Sequence, residues 1–423
     1  MKKYLEKLPK EIQDLIHLAS DIAAKNKMPA YLVGGFVRDL ILGAKNLDLD
    51  IVVEGDGIRF AEHFAASLGV KLIRHRRFGT ATIVIKSNLK IDIASARKEF
   101  YPQPACLPEV AKGRLKDDLS RRDFTINAMA ISITPRDFGR FIDSFGGKGD
   151  LRNKRIRILH DLSFIDDPTR ILRAIRFEKR YNFRIDSDTL GFLKKAVKLK
   201  ILESVQPQRL RDELILILKE ERPIKQIRRI HQLLGFNFIA LELSVSKRTY
   251  KLLRAIEKQI KWFRQEYPQR RPLDTWLIYF MGLIENLAIN HVQAICKRFV
   301  FRKGEEKRIL AHKKIGSKLI HRLSRAKVNP SIIFSLLEPL SYEIIILIKA
   351  KSENRNIQRR IKDFFEIYNG MRPYISGDDL SGLGIAPGPY YQKIFSEVLN
   401  AKLNGRIRTK QEELALIKKL VRT

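Results

Sequence analysis

The chain has 423 residues and a 44% hydrophobic content, enough for several packed units with ordinary apolar cores. Its 82 Lys and Arg outnumber 47 Asp and Glu, giving +35 at neutral pH; that excess attracts polyanions, nucleic acid first and an anionic membrane surface second. Cys106 and Cys296 form no C-x-x-C pair, which excludes a Cys-based zinc site and a disulfide framework; no signal peptide and no apolar run of about 18–20 residues is visible, so a cytoplasmic protein without a membrane partner is expected.

Residues 4–26 place Leu5, Leu8, Ile12, Leu15, Ile16, Ala19 and Ile22 at helical spacing and predict a first helix. Strand-like runs follow at 30–34, 47–53, 70–75, 80–86 and 89–95, with a helix near 57–68. Residues 97–118 lack a clear period and contain Pro102, Pro104 and Pro108, which reads as a mobile loop. From about residue 163 strand signals fade, and helical runs continue to the end, broken by Pro207, Pro223, Pro268, Pro272, Pro330 and Pro339. The predicted class is α+β: a small head with one mixed sheet at 1–148, then an all-α remainder comprising a neck at 149–220, a body at 221–330 and a tail at 331–423. Within the tail, residues 375–389 read as helix, glycine turn, helix.

The richest segment is 31–53. An apolar run ends at Gly34-Gly35, a helix-like stretch runs to Gly43, and a second apolar run carries Asp48 and Asp50. Strand residues i and i+2 point to one side, so the two carboxylates are expected together on one sheet face. Such a pair repels itself unless a cation intervenes, and hard oxygen donors suit Mg²⁺, which keeps substrate phosphates among its ligands. Glycines at a helix start leave backbone N–H groups free to meet a phosphate. Asp-x-Asp or Gly-Gly alone is commonplace; the combination suggests phosphoryl or nucleotidyl transfer.

Two further runs carry polar side chains in patterns suited to a nucleotide. In 118–130, Arg121-Arg122 lies beside Asp123, with Asn127 close behind; arginine matches phosphate oxygens, although a capped helix start would read the same way. In 165–177, Asp167 and Arg170 are three apart and can share a helix face behind Pro168. A carboxylate accepts and a guanidinium donates. Cytosine and adenine each present an amino donor beside a ring-nitrogen acceptor, which complements that pair. Uracil and guanine present the reverse order, leaving buried groups unpaired at about 1–3 kcal/mol each. The ordinary reading is Asp167 as helix cap with Arg170 as its neighbour.

Taken together, Gly34-Gly35-Phe36-Val37-Arg38-Asp39 with Asp48-Leu49-Asp50, then Arg121-Arg122-Asp123-Phe124-Thr125-Ile126-Asn127-Ala128, then Asp166-Asp167-Pro168-Thr169-Arg170 with Leu172-Arg173-Ala174-Ile175-Arg176-Phe177, resemble the motifs of bacterial-type (class II) tRNA CCA-adding enzymes and their poly(A) polymerase relatives. The resemblance is specific over about residues 30–215. It implies a nucleotidyltransferase head, with Asp48 and Asp50 as catalytic metal ligands and Asp92 as a third acidic residue from a neighbouring strand. It implies nucleotide contacts from Gly34, Gly35, Arg38, Arg122 (triphosphate), Asp123 (ribose), Asn127, Asp167 and Arg170 (base), Arg173 and Arg176. Asp166 stands where the family usually has Glu. Gln208–Leu214 matches a run expected to pack under the site.

The implied activity is template-independent addition of C, A or both to the 3′ end of tRNA from CTP and ATP. Poly(A) synthesis, CC-only or A-only addition, and a non-enzymatic basic RNA-binding role remain alternatives. The basic stretch 245–330, poor in interleaved aromatics, fits a phosphate track along a folded duplex.

Overall fold

The computed structural model describes residues 1–44, 48–76, 79–85 and 89–422. The chain forms two compact units, Met1–Ile217 with Lys225–Phe238 and Leu218–Ile224 with Ile239–Thr423.

The first unit contains a seven-stranded mixed sheet. Its strands are β1 (Ala30–Val33), β2 (Leu49–Val53), β3 (Leu72–His75), β4 (Thr80–Val84), β5 (Lys90–Ser95), β8 (Ala130–Ser132) and β9 (Phe141–Ile142), in the order β3-β4-β5-β2-β1-β8-β9. Only β2 and β5 run parallel; the other neighbours are antiparallel. Alternation sets the two faces. Ile51, Ile83, Ile91 and Ile93 are buried, and helix Gly57–Leu68 packs over β4 and β5 with Phe60 and Phe64 fully enclosed. Each such aromatic contributes about 1.5–3 kcal/mol through burial. The helix begins at Asp56, whose carboxylate accepts from the Ile58 and Arg59 amides.

The opposite face is covered only in part. Tyr31, Val33 and Val52 form a cluster with Leu115, Leu119, Ala128 and Ala130. Asp50 precedes Val52 by two residues on this face. The parallel register sets Asp50 beside Asp92, and the antiparallel register sets Asp92 beside Thr82. A polar row therefore crosses β2, β5 and β4.

Several sequence expectations are corrected here. Residues 97–118 are not a loop throughout: β6 (Arg97–Phe100) and β7 (Glu109–Lys112) pair as an antiparallel hairpin, followed by helix Leu115–Ser120. Every residue of β7 is exposed, so no apolar alternation marks it. Strand β2 begins at Leu49, leaving Asp48 just outside it and exposed. Part of the expected 47–53 and 80–86 runs falls on residues 47 and 86, outside those described. β8 and β9, only three and two residues long, gave no strand signal.

The second unit is helical. Helices Lys247–Glu266, Thr275–Leu283 and Tyr342–Lys351 pack together, and Phe263, Tyr267, Tyr342, Phe364 and Phe365 form an aromatic cluster. Glu343 is fully buried and accepts a forked pair from Arg271 at 2.9 and 3.1 Å. Helices Gly377–Gly382 and Pro389–Leu403 give the expected helix–turn–helix, closed over Ile375, Leu380, Ile394 and Val398. Among the described residues no single helix is long and apolar enough to cross a membrane. Helices Pro330–Leu337 and Tyr342–Lys351 would reach that length only as a pair bent by 112°.

Candidate active site

The chain turns sharply between β1 and helix Gly34–Leu42. Gly34 has φ +64, and a Cβ there would collide with Nη1 of Arg122. The glycine is needed twice, for its backbone conformation and for the space it yields. Its N–H is not free as the sequence suggested: it donates to the Met129 carbonyl at 3.3 Å. The amides available to an anion therefore begin with Gly35, in the first turn of the helix.

A cleft of about 660 Å³ opens beside this turn. It brings together nine of the candidate residues: Gly35, Arg38, Asp50, Arg122, Asp123, Asn127, Asp167, Arg170 and Arg173. Asp92 lines an adjoining recess of about 320 Å³ that shares Asp50, Arg121 and Arg122 with it. Gly34, Asp48 and Arg176 do not line the cleft.

Burial pushes the Asp50 carboxyl up to about 6; Arg122 and Arg38 pull it down, while Asp92 and Asp48 push it further up. Asp92 accepts from the Thr82 hydroxyl at 2.6 Å. Among the described residues no group of three or more His, Cys, Asp or Glu side chains is arranged as a metal cluster. The acidic feature is the buried Asp50 with two carboxylate neighbours, its charge opposed by burial and only partly restored by two arginines. That donor set fits a hard divalent cation.

The arginines are held by carboxylates that the sequence reading missed. Asp118 is fully buried and receives Arg121 at 2.5 Å and Arg122 at 2.9 Å. Burial alone would raise its pKa; Arg122 and Arg121 more than reverse that and keep it ionised. Glu99 on the β6–β7 hairpin takes Arg97 at 2.7 Å and Arg121 at 2.9 Å, and accepts from the Tyr101 hydroxyl. The spacing of Asp118 to Arg121 and Arg122, three and four residues, was a legible signal; Glu99 had none.

Asp123 is also buried. Its Oδ2 takes Arg173 at 2.7 Å, while its Oδ1 accepts from Asn127 at 2.8 Å and from the Phe124 amide at 2.9 Å. Both oxygens are engaged, so Asp123 acts in this structure as a brace. Asn127 in turn accepts from Arg38 at 2.5 Å, and Arg38 forks onto Asp39 at 2.8 Å while lying against Tyr181 and Phe177. Arg173 also reaches Glu213 at 2.9 Å, and Arg176 meets the other Glu213 oxygen at 3.4 Å. Between its two carboxylates Arg173 is held above the ordinary guanidinium range.

Asp167 and Arg170 line one wall but do not bond to each other through their side chains. Asp167 sits between helices Ser163–Asp166 and Thr169–Arg180 and accepts from the Thr169 amide and hydroxyl. Arg170 donates to the Ser163 hydroxyl at 2.6 Å and to the Arg121 carbonyl at 2.7 Å. The helix-cap role and a place on the cleft wall thus coexist. Arg209, from the run read only as packing support, pairs with Asp167 at 2.8 Å.

Residues 30–157 match the poly(A) polymerase head-domain family. An A-adding tRNA nucleotidyltransferase of Geobacter sulfurreducens is 38% identical over 98% of this chain, which spans 47% of that relative's length. One from Halalkalibacterium halodurans is 34% identical over 95% of this chain and 90% of the relative. Among solved structures, a CCA-adding enzyme in an apo form aligns with a TM-score of 0.77 and 37% identity, covering 100% of this chain and 98% of that one. A Thermotoga maritima CCA-adding enzyme complexed with tRNA aligns at 0.72 and 35% identity, covering 99% of this chain and 98% of that one.

Proposed function

The chain belongs to the tRNA nucleotidyltransferase family, and from that premise we propose that it extends the 3′ end of tRNA from a nucleoside triphosphate, releasing pyrophosphate. Addition of A is the reading favoured by relatives similar over nearly the whole chain. The observation that supports it is one cleft lined by the buried carboxylate Asp50, by Arg38, Arg121, Arg122 and Arg173, and by a wall carrying Asp167 and Arg170.

The triphosphate lies against Gly35 and Arg122, where amides and a guanidinium offer donors to its oxygens. Asp118 keeps Arg122 from swinging away. The base lies toward Asp167 and Arg170, which complement the amino and ring-nitrogen groups of adenine or cytosine. Asp123 and Asn127 hold Arg173 and Arg38 beneath the sugar. The RNA 3′-hydroxyl oxygen attacks the α-phosphorus, its proton passes to water, and the bond between the α-phosphorus and the departing pyrophosphate breaks.

Enzymes of this family typically use a divalent metal. We take it to be Mg²⁺, held by Asp48 and Asp50 with Asp92 nearby. When bound, such an ion lowers the pKa of the attacking hydroxyl and neutralises triphosphate charge.

A cavity of the second unit, about 680 Å³, is lined by Arg248, Lys258 and Lys349 together with Lys251 and Lys351, which pair with Glu353 and Glu285; its excess of positive charge suits an RNA backbone. A cytoplasmic setting fits these substrates. The four-part division into head, neck, body and tail is retained as a finer proposal within the two compact units.

The test offers tRNA lacking CCA, tRNA ending in CC and an unrelated RNA, each with CTP, ATP or both. One A on the CC-ended tRNA supports A-addition, CCA on the truncated tRNA supports the full activity, and long A tails on the unrelated RNA support the poly(A) reading favoured by the head-domain match. Tight tRNA binding without any incorporation supports the non-enzymatic reading.

A further inference from the structure

We propose that Arg209 and Thr169 are positioning residues for base selection: they lock one oxygen of Asp167 so that the other alone faces the incoming base. This rests on the proposed function and concerns how its cleft chooses a base.

All three donors that reach the Asp167 carboxylate converge on Oδ1. They are the Thr169 hydroxyl at 2.6 Å, Arg209 Nη2 at 2.8 Å and the Thr169 amide at 3.1 Å. Among the described residues no donor reaches Oδ2. A carboxylate so clamped cannot rotate about its terminal torsion without breaking three hydrogen bonds. Oδ2 is therefore a fixed acceptor, the group needed to meet an exocyclic amino hydrogen of adenine or cytosine.

Arg170 is fixed separately. Its Nη1 donates to Ser163 Oγ and its Nη2 to the Arg121 carbonyl, and the residue is almost fully buried. The donor and the acceptor of the reading edge are thus held by different partners. Selectivity needs both in one orientation: a carboxylate free to turn, or to shift by an ångström, could accommodate the reversed edge of guanine or uracil through a water or a tilted base.

Arg209 is a brace with nothing else to hold. Its Nη1 is buried with no hydrogen-bond partner among the described residues, so its one recorded side-chain bond is the one to Asp167. A buried guanidinium nitrogen left unpaired is a cost to the fold, tolerated here in a side chain whose other terminal nitrogen holds Asp167. Lysine at this position would keep the charge and lose the planar geometry.

The experiment measures kcat and KM for single-nucleotide addition to CC-ended tRNA with ATP and with GTP, and to tRNA lacking CCA with CTP and with UTP. The proteins are wild type, Arg209→Ala, Arg209→Lys and Thr169→Val. The readout is the selectivity ratio of kcat/KM within each pair the wild type uses, which a residue serving only the fold would not move. Arg209→Ala is expected to lower that ratio about tenfold or more, with Arg209→Lys and Thr169→Val in between. A variant that loses rate equally on the matched and mismatched nucleotide overturns the assignment. Should Arg209→Ala fail to fold, Thr169→Val decides, since it removes the 2.6 Å hydroxyl contact and keeps the charge pair. A wild-type protein that adds no nucleotide to any RNA sinks the proposed function and this inference together; a selective wild type with equally selective variants sinks this inference alone.

Discussion

The guanidinium of Arg122 fills the space that a side chain on Gly34 would need. The two residues are 88 apart in sequence, yet each dictates the other: the arginine reaches the mouth of the cleft only because the turn has no Cβ. Gly34→Ala is expected to lower stability by about 1–2 kcal/mol through the left-handed backbone alone. It should also raise the KM for nucleotide at least tenfold by displacing Arg122. Gly35→Ala should cost much less stability, since its methyl would meet Arg38 at 3.4 Å and Asp50 at 3.6 Å. Chemical denaturation and steady-state kinetics on the two variants check this.

Asp50→Asn should abolish incorporation and yet stabilise the metal-free protein. The folded Asp50 carboxyl titrates at about 6 against 3.8 in an unfolded chain, so its charge opposes folding. That penalty is absent below pH 3.8, grows through the interval up to 6, and is complete above it. With chelator at pH 7 the variant should gain about 1–2 kcal/mol, and the gain should vanish as pH falls below 4. A variant less stable than wild type at pH 7 would contradict this account of the carboxylate row.

Asp118→Asn removes the charge that two arginines share. Leaving Arg121 and Arg122 with a neutral partner in a buried position is expected to cost about 3 kcal/mol. The nucleotide KM should rise as Arg122 loses its anchor, with a smaller change in kcat. Equilibrium unfolding and kinetics separate the two effects.

Glu343 makes a pH prediction for the helical unit. Burial raises its pKa, but the forked bond from Arg271, the Asp274 amide and its own backbone lower it to about 2, from 4.5. Its contribution is therefore present above pH 4.5 and is lost as pH falls from 4.5 toward 2. Glu343→Gln should destabilise the protein at pH 7 by about 2–3 kcal/mol. It should also flatten the acid limb of the stability curve over that interval, as followed by circular dichroism.

The catalytic half of this architecture was legible because short apolar runs bounded by glycine have few alternatives. Gly34-Gly35, Asp50 and the Arg121–Asn127 run sit where strand and turn chemistry put them. The β6–β7 hairpin was not legible, since its strands are four residues long and largely solvent-facing. Glu99 and Arg209 escaped notice because their meaning lies in partners 22 and 42 residues away, contacts no local period announces. The engagement of Asp123 with Arg173, Asn127 and a backbone amide was not legible for a related reason: its arginine partner lies 50 residues away.

Arg170, Arg173 and Arg176 recur every third position on one helix and grip, in turn, the Arg121 carbonyl, Asp123 and Glu213. That helix is a rivet line, fastening the Asp167–Arg170 wall to the Arg121–Asn127 run and to Glu213. On the proposed reading, a change of alphabet would have to be written in two places at once, in residues 163–170 and in the helix Pro207–Leu218 that carries Arg209, while the sheet stayed as it is.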